Sequence, residues 1–486
     1  MAEISYKSLK EKFEKSKDIS IRPVTVGGDG KITVYSFCVD GLVDAHVLDE
    51  AVLRPIINNN ALRDANSEQE VFTLLKAGVA YHAFADETDD ADELIQSVLS
   101  GNCGVFFDGL KKALIFDVRS FDKRSVSEPQ DEAVLKGAKD CFVETIRTNT
   151  ALIRRRIRSP ELVVEQQIIG RVQRTDIAIV YIEGLADEQL VKQLKNRISR
   201  IDIDNIAAPG FIEEFIIDNG SSIFPQAMYS QRPDRIASNL TDGRVCLIID
   251  GFPTVYILPC QLVALMQSPE EYSQNYFVGS SLRFLRYICI LVSLVLPSFY
   301  IALSDFNSEI IPLQLAISIQ RSKMEVPFTS FVETIGLLIA FEILMEAGVR
   351  LSKSIGQTIS IVGGLVIGQA AVEAKFVSTT VVIVVAATAI CGFTIPSRDL
   401  ANSFRVCRIG IAVLAAMWGL YGMTVGLLFI AVHLCSLDNY GMAYLMPLVD
   451  TGRNNFQDTV FRFKVNRFIF RPEKLASRNR RKQVIK

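Results

Sequence analysis

The chain has 486 residues, of which 49% are apolar and 22% charged, and its formal net charge is −2. This length allows two or three domains, each with its own core. The nine cysteines are spread singly without a C-x-x-C pair, which argues against a disulfide framework and for free thiols in a reducing compartment.

The first third of the chain alternates between short apolar runs and helical patterns. The first 30 residues are polar, lack the hydrophobic segment of a signal peptide and are expected to be loosely ordered. Strands are predicted at 31–38, 79–84, 103–107 and 113–118, and helices at 67–75 and 91–99. Strands interleaved with helices indicate an α/β or α+β subdomain, which we place at residues 1–145, in the cytosol.

A basic helical segment leads into a second subdomain of the same kind. The pattern predicts a helix over 131–158, closed by Ser159-Pro160 because proline disfavours helix in the preceding residue. Interdomain or assembly contacts are assigned to Arg147, Arg154, Arg155 and Arg156, although these arginines could equally form an exposed helix face. Strands are predicted at 162–169, 177–182, 245–249 and 255–258, and a helix at 187–198. We assign residues 146–280 to this second cytosolic α/β subdomain.

The second half of the chain contains long uncharged stretches. Five apolar stretches can be counted, at 287–304, 328–344, 354–372, 376–397 and 409–437. A helix that crosses a bilayer core needs about 20 apolar residues. We therefore assign residues 281–450 to an all-α polytopic transmembrane domain.

Basic flanking residues predict the orientation of this domain. Arg283 and Arg286 precede the first stretch, Arg405 and Arg408 precede the last, and the tail at 451–486 has eleven Lys or Arg residues. The positive-inside rule places the N-terminal half and the tail in the cytosol, and the tail is expected to contact anionic membrane lipids rather than nucleic acid. An even number of crossings is then required. Either one of the five stretches is re-entrant or interfacial, or residues 311–319 add another crossing.

The residues that could carry enzyme chemistry do not form a recognisable set. None of His46, His82 and His433 sits near another histidine or a cysteine at metal-ligand spacing. Thr25 and Ile32 stand where a Walker A loop requires glycine and a hydroxyl residue. We predict no catalytic site, no metal site and no cofactor.

Three acidic residues suggest a function: Glu333 and Glu342, within the second apolar stretch, and Glu346, just after it. A carboxylate in hydrocarbon costs on the order of a few kcal/mol, so such groups usually face protein or water. Glu342 and Glu346 share one helix face. They could border an ion pathway, or Glu346 could simply pair with Arg350 at the interface.

The third stretch is rich in glycine. Gly364 and Gly368 form a G-x-x-x-G motif, whose usual role is close helix packing. The alternative is that this helix lines a narrow passage with a hydrophobic constriction. The candidates for pore lining or gating are Val362, Gly363, Gly364, Val366, Gly368 and Gln369.

The order of short motifs resembles that of the A-subunits of bacterial spore germination receptors, the GerA family. The motifs are Arg147-Thr148-Asn149-Thr150, Tyr181-Ile182-Glu183-Gly184, Phe224-Pro225-Gln226, Arg232-Pro233-Asp234-Arg235, Ser268-Pro269-Glu270, Glu346-Ala347-Gly348-Val349-Arg350 and Gly363-Gly364-Leu365-Val366-Ile367-Gly368. The resemblance extends over nearly all of residues 34–447. The chain departs from the family at Ser352, where proline is expected, and at Gln369, where an acidic residue is common.

The resemblance implies a function. Such subunits lie in the inner membrane of spores with a transporter-like B-subunit that senses the nutrient and a lipoprotein C-subunit. They are expected to form a homo-oligomer, a ring of five, that acts as a nutrient-gated channel for monovalent cations. A related sporulation paralogue is equally compatible with the motifs. The rival hypotheses are a secondary transporter, which should show an internal repeat, and a non-conducting scaffold anchored in the membrane.

Overall fold

The computed structural model describes residues 3–26, 32–80, 85–119, 136–350, 368–449 and 458–467, and residues 470, 471, 475, 479, 481 and 482. The chain forms two compact units. The sheet unit comprises Met1–Asp218, Ala227–Pro259 and Phe468–Lys486. The helical unit comprises Asn219–Gln226 and Cys260–Arg467.

The first part of the sheet unit is a five-stranded antiparallel sheet with the order β1-β2-β4-β5-β3. Its strands are β1 Ile19–Thr25, β2 Thr33–Val39, β3 Ala85–Thr88, β4 Cys103–Phe107 and β5 Lys112–Phe116. Its helices are α1 Tyr6–Lys12, α2 Ala45–Val47, α3 Arg54–Asn58, α4 Asn60–Arg63, α5 Glu68–Leu74 and α6 Ala91–Leu99, with π-helical turns at Leu48–Leu53 and Leu75–Val79.

Strand β4 shows why this sheet forms. All five of its residues are buried, because Phe106 packs into the core on one face while Val105 and Phe107 pack into the core on the other. A strand covered on both faces reads as a continuous apolar run. Gly104 makes room for α6, since a Cβ there would lie 2.5 Å from Cδ1 of Leu94.

The second part of the sheet unit is another five-stranded antiparallel sheet, with the order β6-β7-β9-β10-β8. Its strands are β6 Leu162–Ile169, β7 Thr175–Ile182, β8 Met228–Ser230, β9 Val245–Ile249 and β10 Val255–Leu258. Its helices are α7 Ile146–Arg156, α8 Glu188–Ile198, α9 Pro209–Ile216 and α10 Pro233–Thr241. The predicted fold class, an α/β region in two parts followed by a helical region, is confirmed.

Three local predictions were wrong. The first 30 residues contain α1 and β1, because β1 pairs with β2 along its whole length. The strand expected at 79–84 begins at Ala85, since Val79 still belongs to a π-helical turn; residues 81–84 lie outside the described residues. Within the described residues, the helix expected over 131–158 is restricted to α7, and residues 131–135 lie outside the described residues. Residues 136–145 are not helical, and the Phe142 amide instead donates to the carbonyl of Gln231.

Seven α-helices of the helical unit lie wholly within the described residues. They are α11 Leu262–Met266, α12 Pro269–Ser273, α13 Tyr276–Asp305, α14 Leu313–Lys323, α15 Ser330–Arg350, α16 Thr379–Gly392 and α17 Arg398–Ser436. Among the described residues, α13 and α17 are long and apolar enough to cross a membrane. Helix α14 has 11 residues, about 16 Å, which is half of a hydrocarbon core of about 30 Å, so it does not cross by itself.

Helix α17 is folded back on itself at Gly419, whose φ of 60° and ψ of −139° are not helical. A methyl group added at Gly422 would overlap the carbonyl oxygen of Leu414, and one added at Gly426 would lie 3.3 Å from Cγ1 of Ile411. In a straight helix these pairs would be about 12 Å and about 22 Å apart. The two halves of α17 are therefore antiparallel arms of a hairpin. The first arm runs from 398 to 418 and the second from 420 to 436, and both lengths fall within the range of about 17–25 residues that a crossing needs.

This hairpin bears on the number of crossings. Its apex lies at the C-terminal end of α13, because a Cβ at Gly419 would be 2.9 Å from Cβ of Phe306. The apolar stretch at 409–437 thus belongs to two arms rather than one helix. If the other four stretches cross once each, the total is six, the even number that the predicted orientation requires.

Candidate functional site

Glu333, in the first turn of α15, is a carboxylate buried in the helical unit. It is 2% exposed, and its Oε2 accepts a hydrogen bond of 2.7 Å from the backbone amide of Ser378. Ser378 is the N-cap residue of α16, so the N-terminus of that helix faces this oxygen. Its other oxygen, Oε1, has no hydrogen-bond partner among the described residues.

A polar network lies one helical turn from Glu333. The Ser330 hydroxyl receives a hydrogen bond of 2.7 Å from the Ser304 hydroxyl and donates to the carboxylate of Asp305 at 2.5 Å. Nζ of Lys323 lies 3.0 Å from Oδ1 of Asp305, and both side chains are about one quarter exposed. Polar groups therefore lead from a partly exposed surface towards the buried carboxylate.

Glu342 is two turns further along α15 and is held by the first arm of α17. Its two carboxylate oxygens each lie 3.3 Å from a guanidinium nitrogen, one from Arg405 and the other from Arg408. The side chain of Arg408 is only 6% exposed, so Glu342 compensates a buried positive charge. From the sequence, Arg405 and Arg408 served only to predict the orientation of the membrane domain. Their contact with Glu342 could not be predicted, because Glu342 is more than 60 positions away.

Glu346 has a local partner. Nη2 of Arg350 lies 2.8 Å from its Oε1, and both side chains are mostly exposed. This is the ion pair that the sequence offered as the alternative to a pathway role. Glu342 and Glu346 therefore share a helix face but not a partner.

The structure describes only the end of the glycine-rich segment. Val362, Gly363, Gly364 and Val366 lie outside the described residues. A Cβ added at Gly368 would make an ordinary van der Waals contact with Cγ1 of Val382, at 3.9 Å. Nε2 of Gln369 donates to Oε1 of Glu373 at 3.0 Å. The pore-lining assignment stays a prediction.

Sequence reasoning missed a buried charge cluster at the start of α13. Arg283 is fully buried; its Nε donates to Glu271 at 2.6 Å and one Nη donates to Asp458 at 2.7 Å. The carboxylate of Glu271, which is itself 2% exposed, also forms an ion pair with the guanidinium of Arg286. Arg462 stacks over the ring of Tyr272, 5.0 Å from its centroid. The cluster ties α12, α13 and the segment after the hairpin together.

The four candidate arginines of α7 behave differently from one another. Arg154 is fully buried and pairs with Asp18, whereas Arg147 pairs with Asp40 at the surface. Both aspartates flank strands of the first sheet, so these two arginines connect the second sheet to the first. Arg156 pairs with Asp140, and Arg155 is exposed.

The segment Asn219–Gln226, which contains the Phe-Pro-Gln motif, closes the open end of the α17 hairpin. The ring of Phe224 lies 5.8 Å from that of Phe404 on the first arm and 5.9 Å from that of His433 on the second. Ser222 Oγ lies 2.9 Å from Nε2 of His433, and the Ser403 hydroxyl donates at 2.5 Å to the carbonyl of Ile223. We call this segment the clasp.

These features define a membrane-associated protein with an α/β sheet unit and an apolar helical unit that holds buried charges. The sequence profile described as Bacillus/Clostridium GerA spore germination protein matches residues 7–474. Spore germination protein KA of Bacillus subtilis (strain 168) is 37% identical over 476 residues, which are 98% of this chain and 86% of that protein. Spore germination protein B1 of the same organism is 38% identical over 435 residues, 90% of this chain and 89% of that protein.

Among solved structures, the N-terminal domain of the A subunit of the Bacillus megaterium spore germinant receptor GerK3 is similar to part of the chain. It is 29% identical, covers 53% of this chain and 96% of its own, and superposes with a TM-score of 0.42. On the profile and the two relatives, the chain belongs to the GerA family of spore germination proteins. The family predicted from the motifs is confirmed.

Proposed function

We propose that this protein is the A-subunit of a nutrient germinant receptor of bacterial spores and that copies of it form a ligand-gated cation channel that triggers germination. The family match over residues 7–474 is the observation that carries the proposal. The channel part is supported by the helical unit, where Glu333 and Glu342 lie among apolar helices. Carboxylates are expensive in such surroundings unless they serve a pathway or a partner.

The proposed channel is a ring of copies, five by family resemblance. Each copy contributes its glycine-rich segment at 361–369 to a common axis, where Val362 or Val366 closes the passage by excluding water. A transporter-like B-subunit senses the nutrient and a lipoprotein C-subunit completes the receptor. The complex lies in the inner membrane of the spore, with the sheet unit and the tail on the cytosolic side and the tail against membrane lipids.

The proposal is tested by widening the constriction. Val362→Ala or Val366→Ala should let spores lose monovalent cations and germinate without nutrient. The matched control is Val406→Ala, which removes the same atoms from an exposed position on the first arm of α17 and should leave spores dormant. Normal dormancy in both pore variants would exclude this lining.

Electrical recording separates the proposed channel from its rivals. The purified protein, combined with its B- and C-subunits in planar bilayers, should pass cation current when nutrient is added. A complex that assembles but passes no current would favour the non-conducting scaffold. Solute uptake by liposomes that contain this chain alone would favour a secondary transporter.

A further inference from the structure

Two cysteines on neighbouring helices of the helical unit face each other. Cys391 is the second-last residue of α16, and its thiol lies within hydrogen-bonding reach of the thiol of Cys289 on α13. The two helices touch at this place, because a Cβ added at Gly392 would lie 3.4 Å from the hydroxyl oxygen of Ser293. Ser293 is one turn beyond Cys289 on the same helix face. Two separate contacts therefore hold the two cysteines side by side.

The pair lies near the basic ends of its two apolar stretches. Arg286 precedes Cys289 by three residues, and Arg398 follows Cys391 by seven. The positive-inside rule assigns such ends to the cytosol. Both cysteines are partly exposed. Small water-soluble oxidants and reductants therefore reach the thiols without crossing the apolar centre of the helices.

A second pair of neighbouring cysteines shows why exposure matters. The thiols of Cys38 on β2 and Cys103 on β4 also lie within hydrogen-bonding reach of each other, because Phe37 pairs with Gly104 and the two cysteines are next in register. Cys103, however, is 0% exposed. A cysteine reacts with an oxidant only where the sulfur is accessible. The pair on the helices meets this requirement, and the pair in the sheet does not.

We propose that Cys289 and Cys391 form a reversible disulfide when a peroxide oxidises them, and that this bond joins α13 to α16. One sulfur, as its thiolate, attacks the O–O bond and becomes a sulfenic acid, while the other oxygen leaves as water. The second thiol then displaces the hydroxyl group of the sulfenic acid, so that the S–S bond forms and a second water leaves. Two thiols lose two electrons, and one peroxide is reduced to two waters. A dithiol reductant reverses the bond by exchange.

The disulfide acts on the segment between the two cysteines. It closes a loop of about 100 residues and so restricts the unfolded helical unit. It also stops α13 and α16 from moving past each other. Helix α16 follows the glycine-rich segment that ends at Gln369, so the bond restrains the proposed pore lining through the chain itself. This last effect rests on the proposed function, whereas the disulfide does not.

The disulfide is tested on the purified full chain in detergent, treated with hydrogen peroxide. Mass spectrometry of proteolytic peptides should find Cys289 joined to Cys391 within one chain, and dithiothreitol should reverse the bond. Cys289→Ser and Cys391→Ser should each abolish it. The matched control is Cys435→Ser, which removes an exposed thiol of the second arm of α17 and should leave the crosslink yield unchanged.

Two results of this experiment would overturn the site. One is the absence of the crosslink between α13 and α16. The other is a crosslink between Cys38 and Cys103 that forms equally fast, because oxidation would then not depend on exposure of the sulfur.

Current recordings test the effect on the proposed channel. Peroxide should abolish the nutrient-evoked current of the complex with its B- and C-subunits, dithiothreitol should restore it, and the Cys289→Ser complex should keep its current in peroxide. A crosslinked complex with undiminished current would refute the restraint on the pore. If the crosslink forms but the reduced complex passes no current, the disulfide stands and the channel proposal fails.

Discussion

Replacement of Arg154 by methionine tests whether the two sheets depend on a buried ion pair. Nε of Arg154 lies 2.6 Å from Oδ2 of Asp18, and its Nη2 lies 3.0 Å from Oδ1. The two side chains are 0% and 2% exposed. The same Nη2 also donates to the buried hydroxyl of Ser16 at 3.3 Å. Methionine would fill much of the space and leave the aspartate charge buried and unpaired.

The expected cost follows from that burial. Breaking a buried pair by removing one partner costs about 3–5 kcal/mol, because the remaining charge is uncompensated. With a urea slope of about 2 kcal/mol per molar, the midpoint should fall by roughly 2 M. We would follow the protease-resistant fragment that contains both sheets, by brief proteolysis of the full chain in detergent at increasing urea concentrations.

Two companion variants make this experiment decisive. Arg147→Met removes an arginine of the same helix whose partner, Asp40, is about half exposed, as is Arg147 itself, so the loss should be about 0–1 kcal/mol. Arg154→Met combined with Asp18→Leu removes both buried charges and should recover most of the loss. Equal midpoints for the Arg154 and Arg147 single variants would refute the reasoning.

Three further predictions concern other parts of the chain. Hydrogen bonds from Lys112 and then Lys76 lower the pKa of Glu87 from 4.5 to about 2, so its contribution to stability is complete above pH 4.5 and lost as the pH falls towards 2; Glu87→Gln should flatten the pH dependence of unfolding in that window. Gly419→Ala should destabilise the hairpin apex by about 1–3 kcal/mol or more, because the backbone conformation there suits only glycine, and should shift the emission of the single tryptophan, Trp418. Phe224→Ala should cost about 3–5 kcal/mol and speed hydrogen exchange in the clasp, whereas Phe211→Ala, at an exposed position, should change neither.

Local sequence patterns predicted much of the sheet unit because its strands carry their own signal. Continuous apolar runs marked β4 and β9, each of which is buried along its whole length. Asp187 and Ser67 cap the helices that the apolar spacing predicted. Strand β1 was missed because only one of its residues is buried and because it includes Arg22 and Pro23, so that only pairing with β2 orders it.

The buried charges could be predicted only in part. The cost of a carboxylate in an apolar stretch was enough to single out Glu333 and Glu342. Their partners were not accessible from the sequence, because Ser378 is 45 positions from Glu333 and Arg408 is 66 positions from Glu342. The same holds for Arg283, which looked like a flanking charge and is instead the centre of a buried cluster.

The α17 hairpin, by contrast, can be inferred from the sequence. An uncharged stretch at 409–437 is longer than the roughly 20 residues that one crossing needs, and it contains four glycines, at 410, 419, 422 and 426. Gly419 supplies the turn, and Gly422 and Gly426 allow the arms to approach closely. Length and glycine spacing together therefore indicate a turn within the stretch.

The contacts of this hairpin fix it at three levels within the helical unit. The apex lies against the end of α13, Glu342 of α15 binds the first arm through Arg405 and Arg408, and the clasp holds both arms at the open end. The clasp is joined covalently to α9 and β8, and α15 also carries Glu333. A displacement of the clasp would therefore reach α15 through ion pairs as well as through apolar packing. Glu342→Gln removes these ion pairs while preserving the size of the side chain, so it should speed hydrogen exchange in the first arm of α17, where the guanidinium of Arg408 is buried. The matched control is Glu346→Gln, at a mostly exposed position of the same helix, which should leave that exchange unchanged. Equal exchange in the two variants would refute a role of the Glu342 ion pairs in holding the arm.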